Sequence, residues 1–173
     1  MKKIKLTQNK YALVDDNDFI YLNKFKWHIN CDDNRYYAIR HNGYINGKRT
    51  SIAMHREILN LTDPKIQVDH KDHNGLNNQK NNLRIATNQQ NHFNLTKRKD
   101  NKSGYKGITW HKRDKIWQSQ IQINNKLIYL GSFNNKIDAA KAYDVAAIKY
   151  FREFANLNFP KKFLNKRIKN AKK

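Results

Sequence analysis

Short apolar runs alternate with turn-forming residues over the first sixty positions of the chain. The apolar runs cover residues 11–14, 19–22, 26–29, 36–40 and 48–55, and the residues between them include Asp15–Asp18 and Asn42-Gly43. Alternation of this kind, bounded by Asp, Asn and Gly, is typical of strands joined by hairpin turns. The pattern therefore predicts a small, mostly β module over residues 1–60, in which Asp15–Asp18 forms a turn.

A second pattern occupies residues 104–160. A first strand is expected near Gly104–Trp110. In the run Lys115–Ile123, apolar and polar residues alternate as in a half-buried strand, and residues 126–131 are expected to pair with it after an Asn124-Asn125 turn. Asn135 then opens a helix as its N-cap. The apolar face of this helix contains Ala139, Ala140, Tyr143, Ala147 and Tyr150. The pattern predicts a three-stranded antiparallel sheet packed on one helix.

Between these regions, residues 61–96 combine a short strand, a turn and a helix. Met54–Leu59 begins a helix that leads into them, Ile66–His70 reads as a strand, and Asn74-Gly75 supplies turn chemistry. Thr87 to Leu95 suits a short helix with Asn88 and Asn91 on one face. Residues 97–103 form a basic linker and 161–173 a basic tail, so the expected fold class is α+β.

The charge of the chain is strongly positive. It has 35 Lys and Arg against 14 Asp and Glu, which gives a formal net charge of +21. An A·T-rich genome would enrich lysine but does not explain so few acids, and a polyanion is the expected partner.

The apolar content argues against a membrane protein. No run approaches the ~20 apolar residues that span a bilayer, and no hydrophobic signal core follows Lys3. We therefore expect a soluble cytoplasmic protein of a bacterial or phage-infected host cell. The single cysteine, Cys31, forms no intramolecular disulfide, which fits a reducing compartment.

Asp69 and His70 supply the candidate chemistry. Hydrolysis of a phosphodiester needs a base for water and a cation on the phosphate oxygens. Asp69 is a hard oxygen ligand for a magnesium-like ion, and His70 has an ordinary pKa suited to accepting a proton. Because neighbouring side chains of a strand point to opposite faces, the two meet a common substrate only where the strand ends.

The longer pattern resembles a known family. Val68-Asp69-His70-Lys71-Asp72-His73-Asn74-Gly75-Leu76-Asn77-Asn78, followed by Asn82-Leu83-Arg84 and Asn91, is similar to the HNH endonucleases of the phage and intron type. The match covers about residues 66–94. It implies a two-stranded hairpin packed on a helix around one divalent ion (the ββα-metal core), and products with 5′-phosphate and 3′-hydroxyl ends.

By this resemblance His70 is the general base and Asn82 braces the loop that positions it. Asp69 and Asn91 are the implied metal ligands. The chain reads His-Asn-Asn where the family pattern is His-Asn-His. An amide oxygen still suits Mg²⁺ or Mn²⁺, whereas zinc favours nitrogen and sulfur ligands.

The other histidines give weaker indications of a functional role. His70, His73 and His92 lie near one another in sequence and Cys31 is available, but a structural zinc site usually needs four closed ligands with paired cysteines. Zinc is therefore not expected. His73 suits a phosphate contact or an exposed loop position, and His55 suits a structural role.

A second resemblance covers Gly104 to Pro160. Tyr105-Lys106-Gly107-Ile108, Tyr129-Leu130-Gly131-Ser132-Phe133, Ala139-Ala140-Lys141-Ala142-Tyr143-Asp144 and the closing Leu157-Asn158-Phe159-Pro160 resemble the AP-two (ethylene-response-factor) DNA-binding domain. In that family the sheet enters the major groove. The implied DNA contacts are Lys106, Thr109, His111, Trp117, Gln120, Gln122 and Tyr129, to which we add Arg84, Lys97 and Arg98.

Two features limit what this resemblance transfers. Several of these positions are Arg or Glu in the plant proteins and Thr, His or Gln here, so the target sequence does not carry over, and Gln can read adenine. Packing within the sheet explains Trp117 and Tyr129 as well as base contact does.

Together these features predict a site-specific, homing-type DNA endonuclease that uses a divalent metal ion. The alternative is a non-enzymatic DNA-binding regulator with a degenerate HNH core. An RNA-binding role is disfavoured because the aromatic signature of an RNA-recognition sheet is absent. The expected partner is double-stranded DNA, with no obligatory protein partner and a monomeric or weakly dimeric chain.

The charge predicts a steep response of DNA affinity to salt. With about eight phosphate contacts, affinity should fall on the order of 10³- to 10⁵-fold between 50 and 200 mM salt. Fluorescence anisotropy with a labelled duplex in EDTA measures this. A flat response would show that the positive charge does not engage phosphates.

Overall fold

The computed structural model describes residues 1–32 and 35–159. The chain divides into two compact units, the first from Met1 to Asn91 and the second beginning at His92. The predicted basic tail at 161–173, and Pro160 of the closing motif, lie outside the described residues.

The first unit is a mixed α+β structure with small antiparallel sheets, as predicted. Two strands pair as one sheet, the next three strands form a second sheet in chain order, and two short helices flank them. Their bounds are β1 Lys2–Lys5, β2 Tyr11–Val14, α1 Asp16–Leu22, β3 His28–Asp32, β4 Arg35–Ile45, β5 Lys48–Ala53 and α2 Met54–Ile58.

The prediction that Asp15–Asp18 forms a turn between strands is wrong. Asp15 has an extended backbone and immediately precedes α1, and Asp16 and Asp18 lie in the first helical turn. Carboxylates are stabilised there by the positive end of the helix dipole. Residues 19–22, which read as a strand, are therefore helical, with Leu22 buried.

The predicted turn at Asn42-Gly43 is also displaced. These residues lie within β4 at an irregularity in its pairing with β5. The hairpin turn is Asn46-Gly47, whose φ values of 50° and 74° suit a type I′ turn. Both Asn-Gly pairs carry the same turn signal, so the sequence offers no local basis for choosing between them.

One hydrophobic core holds the first unit together. Its buried side chains come from the β1–β2 pair, from α1, β4 and α2, from the segments that contain Leu6 and Trp27, and from the hairpin strand that follows. They are Ile4, Leu6, Ala12, Val14, Leu22, Trp27, Ala38, Met54, Ile58 and Leu83. Because Leu83 belongs to this set, the β-rich module and the hairpin share a single core.

The hairpin consists of β6 Gln67–His70 and β7 Leu83–Ala86, and is followed by α3 Asn88–Asn94. Its antiparallel register sets Asp69 opposite Arg84. A reciprocal pair starts the helix: the Thr87 backbone N–H donates to Gln90 Oε1 at 2.8 Å, and the Gln90 N–H donates to Thr87 Oγ1 at 3.2 Å. This capping box fixes where α3 begins.

The second unit has the predicted order of three strands and a helix. β8 Ile108–His111, β9 Ile116–Ile123 and β10 Lys126–Phe133 form an antiparallel sheet in the order β10-β9-β8, and α4 Lys136–Phe151 leads into a 3₁₀ turn at Arg152–Phe154. The turn residues Asn124 and Asn125 both have positive φ.

The buried face of α4 differs from the prediction at one position. Ala139, Ala140, Tyr143 and Ala147 are buried as expected, but Tyr150 is 41% exposed. Phe151 is buried instead, and its ring stacks on Phe93 at 3.8 Å between centroids. Near the end of the helix, which of these two adjacent aromatic side chains is buried depends on the contact with Phe93, a residue from a distant segment.

Within residues 1–32 and 35–159, none of the helices combines the length and the hydrophobicity that a membrane span requires.

Gly75 provides a test of how closely the loop after β6 packs on β4. A Cβ added there would lie 2.5 Å from the Tyr36 carbonyl oxygen and 2.7 Å from the Tyr37 ring. Gly75→Ala should lower the free energy of unfolding by about 3 kcal/mol because backbone cannot give way. Chemical denaturation measures this.

Gly43→Ala is the control, because a Cβ at Gly43 meets open space and the only cost is its positive φ, about 1 kcal/mol. Equal losses for the two variants would contradict the packing described.

Candidate active site and nucleic-acid interface

The loop from Lys71 to Asn82 connects the two hairpin strands, and the Asn82 side chain closes it. Asn82 Oδ1 accepts from the Asp72 backbone N–H at 3.1 Å, and Nδ2 donates to Asp72 Oδ1 at 2.9 Å and to the Asn77 carbonyl at 2.8 Å. Asn77 in turn donates to Asp72 Oδ2 at 2.7 Å. A buried amide with three such bonds holds the loop in one conformation.

The same loop is fastened to the N-terminal sheet. The Leu13 N–H donates to the Leu76 carbonyl and the Asn78 N–H donates to the Leu13 carbonyl, both at 2.8 Å. The Asp15 carboxylate accepts from the Lys80 N–H at 2.8 Å and from the Gln79 amide at 3.2 Å. Asp15 therefore anchors this loop, a role that the short-range pattern did not reveal.

His70 is the last residue of β6 and is 6% exposed. Its Nε2 lies 3.5 Å from Oδ1 of Asn78, which is fully buried, and its ring packs against those of Tyr37 and His55. Burial lowers the pKa of His70, opposed by the Asn78 hydrogen bond and by nearby carboxylates. A lowered pKa keeps the imidazole neutral and able to accept a proton at cellular pH.

The Met54-His55-Arg56 segment of α2 supports this position. Met54 is fully buried in the core, and the His55 ring lies edge-on to His70 with centroids 5.2 Å apart. The Arg56 guanidinium donates to the carbonyls of Ile66 at 2.7 Å and Asp63 at 2.6 Å, which fixes the segment entering β6. Burial lowers the pKa of His55 to about 3, so this ring stays uncharged beside His70.

Asp69 and Arg84 form a buried ion pair across the hairpin. Arg84 Nη2 and Nε lie 2.5 and 2.7 Å from Asp69 Oδ2, and the two side chains are only 12% and 10% exposed. Arg84, predicted as a DNA contact, is thus placed against the predicted metal ligand. The pairing gives the buried Asp69 carboxylate a charged hydrogen-bond partner within the hairpin.

Asn91 lies one turn into α3 and is oriented by Gln67. Its Nδ2 donates to Gln67 Oε1 at 2.6 Å, while its Oδ1 is buried and has no hydrogen-bond partner among the described residues. Gln67 and Asp69 are two positions apart on β6 and so share a face. A carboxylate and an unsatisfied amide oxygen make a donor set that suits a hard divalent cation.

The histidines considered for zinc do not assemble. Within residues 1–32 and 35–159, no group of three or more His, Cys, Asp or Glu side chains is placed to hold a metal ion. His73 and His92 are exposed, as is Cys31.

In the second unit, the strand register defines one open face of the sheet. Thr109 lies opposite Gln118, Tyr129 opposite Gln120, and Leu127 opposite Gln122. Directly opposed residues of antiparallel strands share a face. We call this the reading face; it consists of Thr109, His111, Ile116, Gln118, Gln120, Gln122, Leu127, Tyr129 and Ser132. Strand alternation would have identified Ile116, Gln118 and Leu127 as members of this face, which the family comparison of single positions missed. Ser132 lies on it only because the register shifts between Tyr129 and Gly131.

The structure places two of the predicted contacts away from this face. The Trp117 ring packs beside Trp110, with centroids 5.0 Å apart, on the side that covers the helix. Lys106 Nζ donates to the carbonyls of Leu95 at 2.6 Å and Asn156 at 3.2 Å, and burial lowers the pKa of Lys106 to about 8. Both residues therefore stabilise the fold of this unit.

The two basic residues that precede the sheet and are predicted to contact DNA, Lys97 and Arg98, have different surroundings. Lys97 Nζ donates to the Gly104 carbonyl at 3.2 Å. Arg98 lines an open groove of about 690 Å³ that also includes Lys102, Trp110 and Lys112.

The closing Leu157-Asn158-Phe159 segment is held by Asp144 of α4. The fully buried Asp144 carboxylate accepts from the backbone N–H groups of Asn158 and Phe159, each at 2.9 Å, and from Asn158 Nδ2 at 3.0 Å. Asn158 Oδ1 accepts from the Lys106 N–H at 2.7 Å, which ties the segment to the start of the sheet.

The chain thus combines a hairpin and helix that carry an imidazole, a carboxylate and an amide with a three-stranded sheet packed on a helix. Comparison with known proteins agrees. The chain is 31% identical over 153 residues to an uncharacterised HNH endonuclease of Acanthamoeba polyphaga mimivirus, covering 86% of this chain and 74% of that protein. The chain belongs to the HNH endonuclease family.

Its other relatives match a shorter segment. APETALA2-like protein 2 of Oryza sativa subsp. indica is 44% identical over 57 residues, 33% of this chain and 13% of the plant protein. The AP2-like ethylene-responsive transcription factor TOE2 of Arabidopsis thaliana is 42% identical over 57 residues, 33% and 12% of the two chains. These matches identify an AP2/ERF domain, and no family model matches the chain.

Because the Asn82 side chain closes the loop, its removal should increase the mobility of the loop locally. Asn82→Ala deletes the acceptor for the Asp72 N–H and two donated bonds, each worth on the order of 1 kcal/mol. Hydrogen exchange of amides in residues 71–82 should accelerate by roughly 5- to 150-fold.

The matched control is Asn81→Ala, whose exposed side chain makes none of these bonds. Similar exchange in both variants and in the unaltered chain would show that the amide does not hold the loop.

Proposed function

We propose that this protein is a site-specific, homing-type DNA endonuclease that hydrolyses phosphodiester bonds with a divalent metal ion, Mg²⁺ or Mn²⁺. The observation that carries the proposal is the arrangement around β6. A buried imidazole ends the strand, and Asn91 is bonded through its nitrogen to Gln67, which shares a strand face with Asp69. The Asn91 oxygen has no hydrogen-bond partner among the described residues.

His70 is the proposed general base. A base must be unprotonated and held in place, and burial of His70 together with its ring contacts to Tyr37 and His55 supplies both conditions. The closed loop held by Asn82 keeps the residues after His70 from relaxing. His70 accepts the proton of the attacking water, and the phosphodiester cleaves to 5′-phosphate and 3′-hydroxyl ends.

Asp69 and Asn91 are the proposed holders of the metal ion. When bound, such an ion supplies positive charge to the phosphate and leaving oxygens as negative charge develops there. Arg84 is paired with the Asp69 carboxylate, and Gln67 accepts from the Asn91 amide nitrogen and so fixes the orientation of that amide. The protein thus prepares two oxygen ligands before the ion arrives.

The second unit is proposed to select and hold the site. Its reading face is open, and 35 Lys and Arg residues in the chain favour a polyanion. One HNH centre cuts one strand per encounter, so the single chain is expected to nick, and cleavage of both strands requires a dimer or a second event.

A non-enzymatic DNA-binding regulator is the second candidate. The observation in its favour is that Arg84 already neutralises Asp69, as it would in a structural core. Supercoiled plasmid incubated with Mg²⁺, with and without a chelator, separates the two: nicking that the chelator abolishes supports the nuclease, and DNA binding without any nicking supports the regulator.

The assignment of the base predicts the behaviour of His70→Ala. Loss of a general base should lower the single-turnover rate of plasmid nicking in Mg²⁺ by about 10²- to 10⁴-fold, while duplex affinity in EDTA stays unchanged. Quenched-flow gels and anisotropy measure the two quantities.

His28→Ala is the control, since His28 lies on β3 outside the cluster around His70. If His70→Ala nicks at the rate of the control, His70 is not the base.

A further inference from the structure

The composition of the reading face points to the kind of DNA that this protein selects. Among its described strand positions there is no Arg, Lys, Asp or Glu, and three glutamines, Gln118, Gln120 and Gln122, follow one another along β9. We propose that the reading face is specific for A·T base pairs, with the glutamines reading adenine and Leu127 reading the thymine methyl group. This inference rests on the proposed DNA binding by the second unit.

The chemistry of the base edges favours this reading. In the major groove adenine presents the N7 acceptor beside the N6 amino donor, which the two ends of a glutamine amide match, whereas guanine presents two acceptors that Arg or Lys match. A face without Arg or Lys lacks the usual guanine readers. The cytosine amino group is usually read by Asp or Glu, which the face also lacks.

The amides are free to make such contacts. None of the side chains of Gln118, Gln120 and Gln122 hydrogen-bonds to another residue within the described part of the chain, and Gln122 is exposed. Successive glutamines two residues apart on a strand are separated by about 6.8 Å. Two base-pair steps of B-DNA also span about 6.8 Å, so a strand following the groove presents its amides in step with the bases.

The remaining side chains of the face complete the match. Leu127 is 63% exposed and lies opposite Gln122, where an aliphatic group can contact the C5-methyl of thymine beside the adenine that the glutamine reads. Tyr129 is 59% exposed, and its hydroxyl is 2.6 Å from Ser132 Oγ, which fixes the ring in position. Three basic residues lie in the turn between β8 and β9: Lys112, Arg113 and Lys115. At this end of the sheet, the DNA groups available to them are phosphates.

The first test is selection of bound duplexes from a random library by the full chain in EDTA, which prevents cleavage. The expected result is a motif of A·T pairs. The best duplex is then remade with 7-deazaadenine, which removes the N7 acceptor and leaves base pairing intact. One substitution at a contacted adenine should weaken binding by about 5- to 150-fold, and Gln120→Ala should lose this sensitivity at one position.

Asn134→Ala provides the matched protein control, because Asn134 is an exposed carboxamide just beyond β10.

Uracil in place of thymine tests the contact between Leu127 and the thymine methyl group. This replacement should weaken binding by the unaltered chain and have no further effect on binding by Leu127→Ala.

A selected motif of G·C pairs, or full tolerance of 7-deazaadenine, would overturn the proposed specificity and leave DNA binding standing. Absence of any duplex binding would instead remove the proposed function on which the inference rests.

Discussion

The closure of the loop between β6 and β7 by the Asn82 side chain is the constraint on which the candidate site depends. The loop contains few hydrophobic side chains, so burial alone cannot determine its course. The hydrogen bonds of Asn82 to Asp72 and Asn77 define its shape, and the backbone of Leu13 fixes it to the N-terminal sheet. Since His70 immediately precedes this loop, the position of its ring depends on polar contacts made up to a dozen residues away.

The same contacts explain why the N-terminal module is part of the site. The ring of His70 contacts those of Tyr37 of β4 and His55 of α2, and the loop is anchored by Asp15. Leu83 of the hairpin is buried among side chains of the module. A hairpin of two four-residue strands and a short helix buries too little apolar surface to be stable alone, and the module supplies the missing core.

Much of this arrangement follows from local signals in the sequence. The Asp69-His70 pair and the spacing to Asn82 and Asn91 define the residues of the proposed site. Strand alternation and the Asn124-Asn125 turn define the C-terminal sheet. The prediction of an element was wrong where the same residue pattern is compatible with two structures. Asp15–Asp18 carries both turn and helix-start residues, and either of two Asn-Gly pairs could end β4.

The contacts that the sequence did not reveal all join distant segments. Nothing near Arg84 indicates that it pairs with Asp69, since this follows from the register of the hairpin. Nothing near Lys106 indicates that its ammonium group is buried against carbonyls of Leu95 and Asn156. Single-position comparison with a family assigns such residues to DNA, whereas alternation along β9 correctly separates Trp117 from the glutamines on either side.

Asp69 and Asn91 are proposed to hold one hard cation beside His70. Anomalous diffraction from crystals soaked in Mn²⁺ can locate that cation, with crystals of Asn91→Ala soaked in parallel. We expect a single peak about 2.2 Å from an oxygen of each residue, absent in the variant. A peak that leaves either residue unligated, or no peak between them at saturating Mn²⁺, would contradict it.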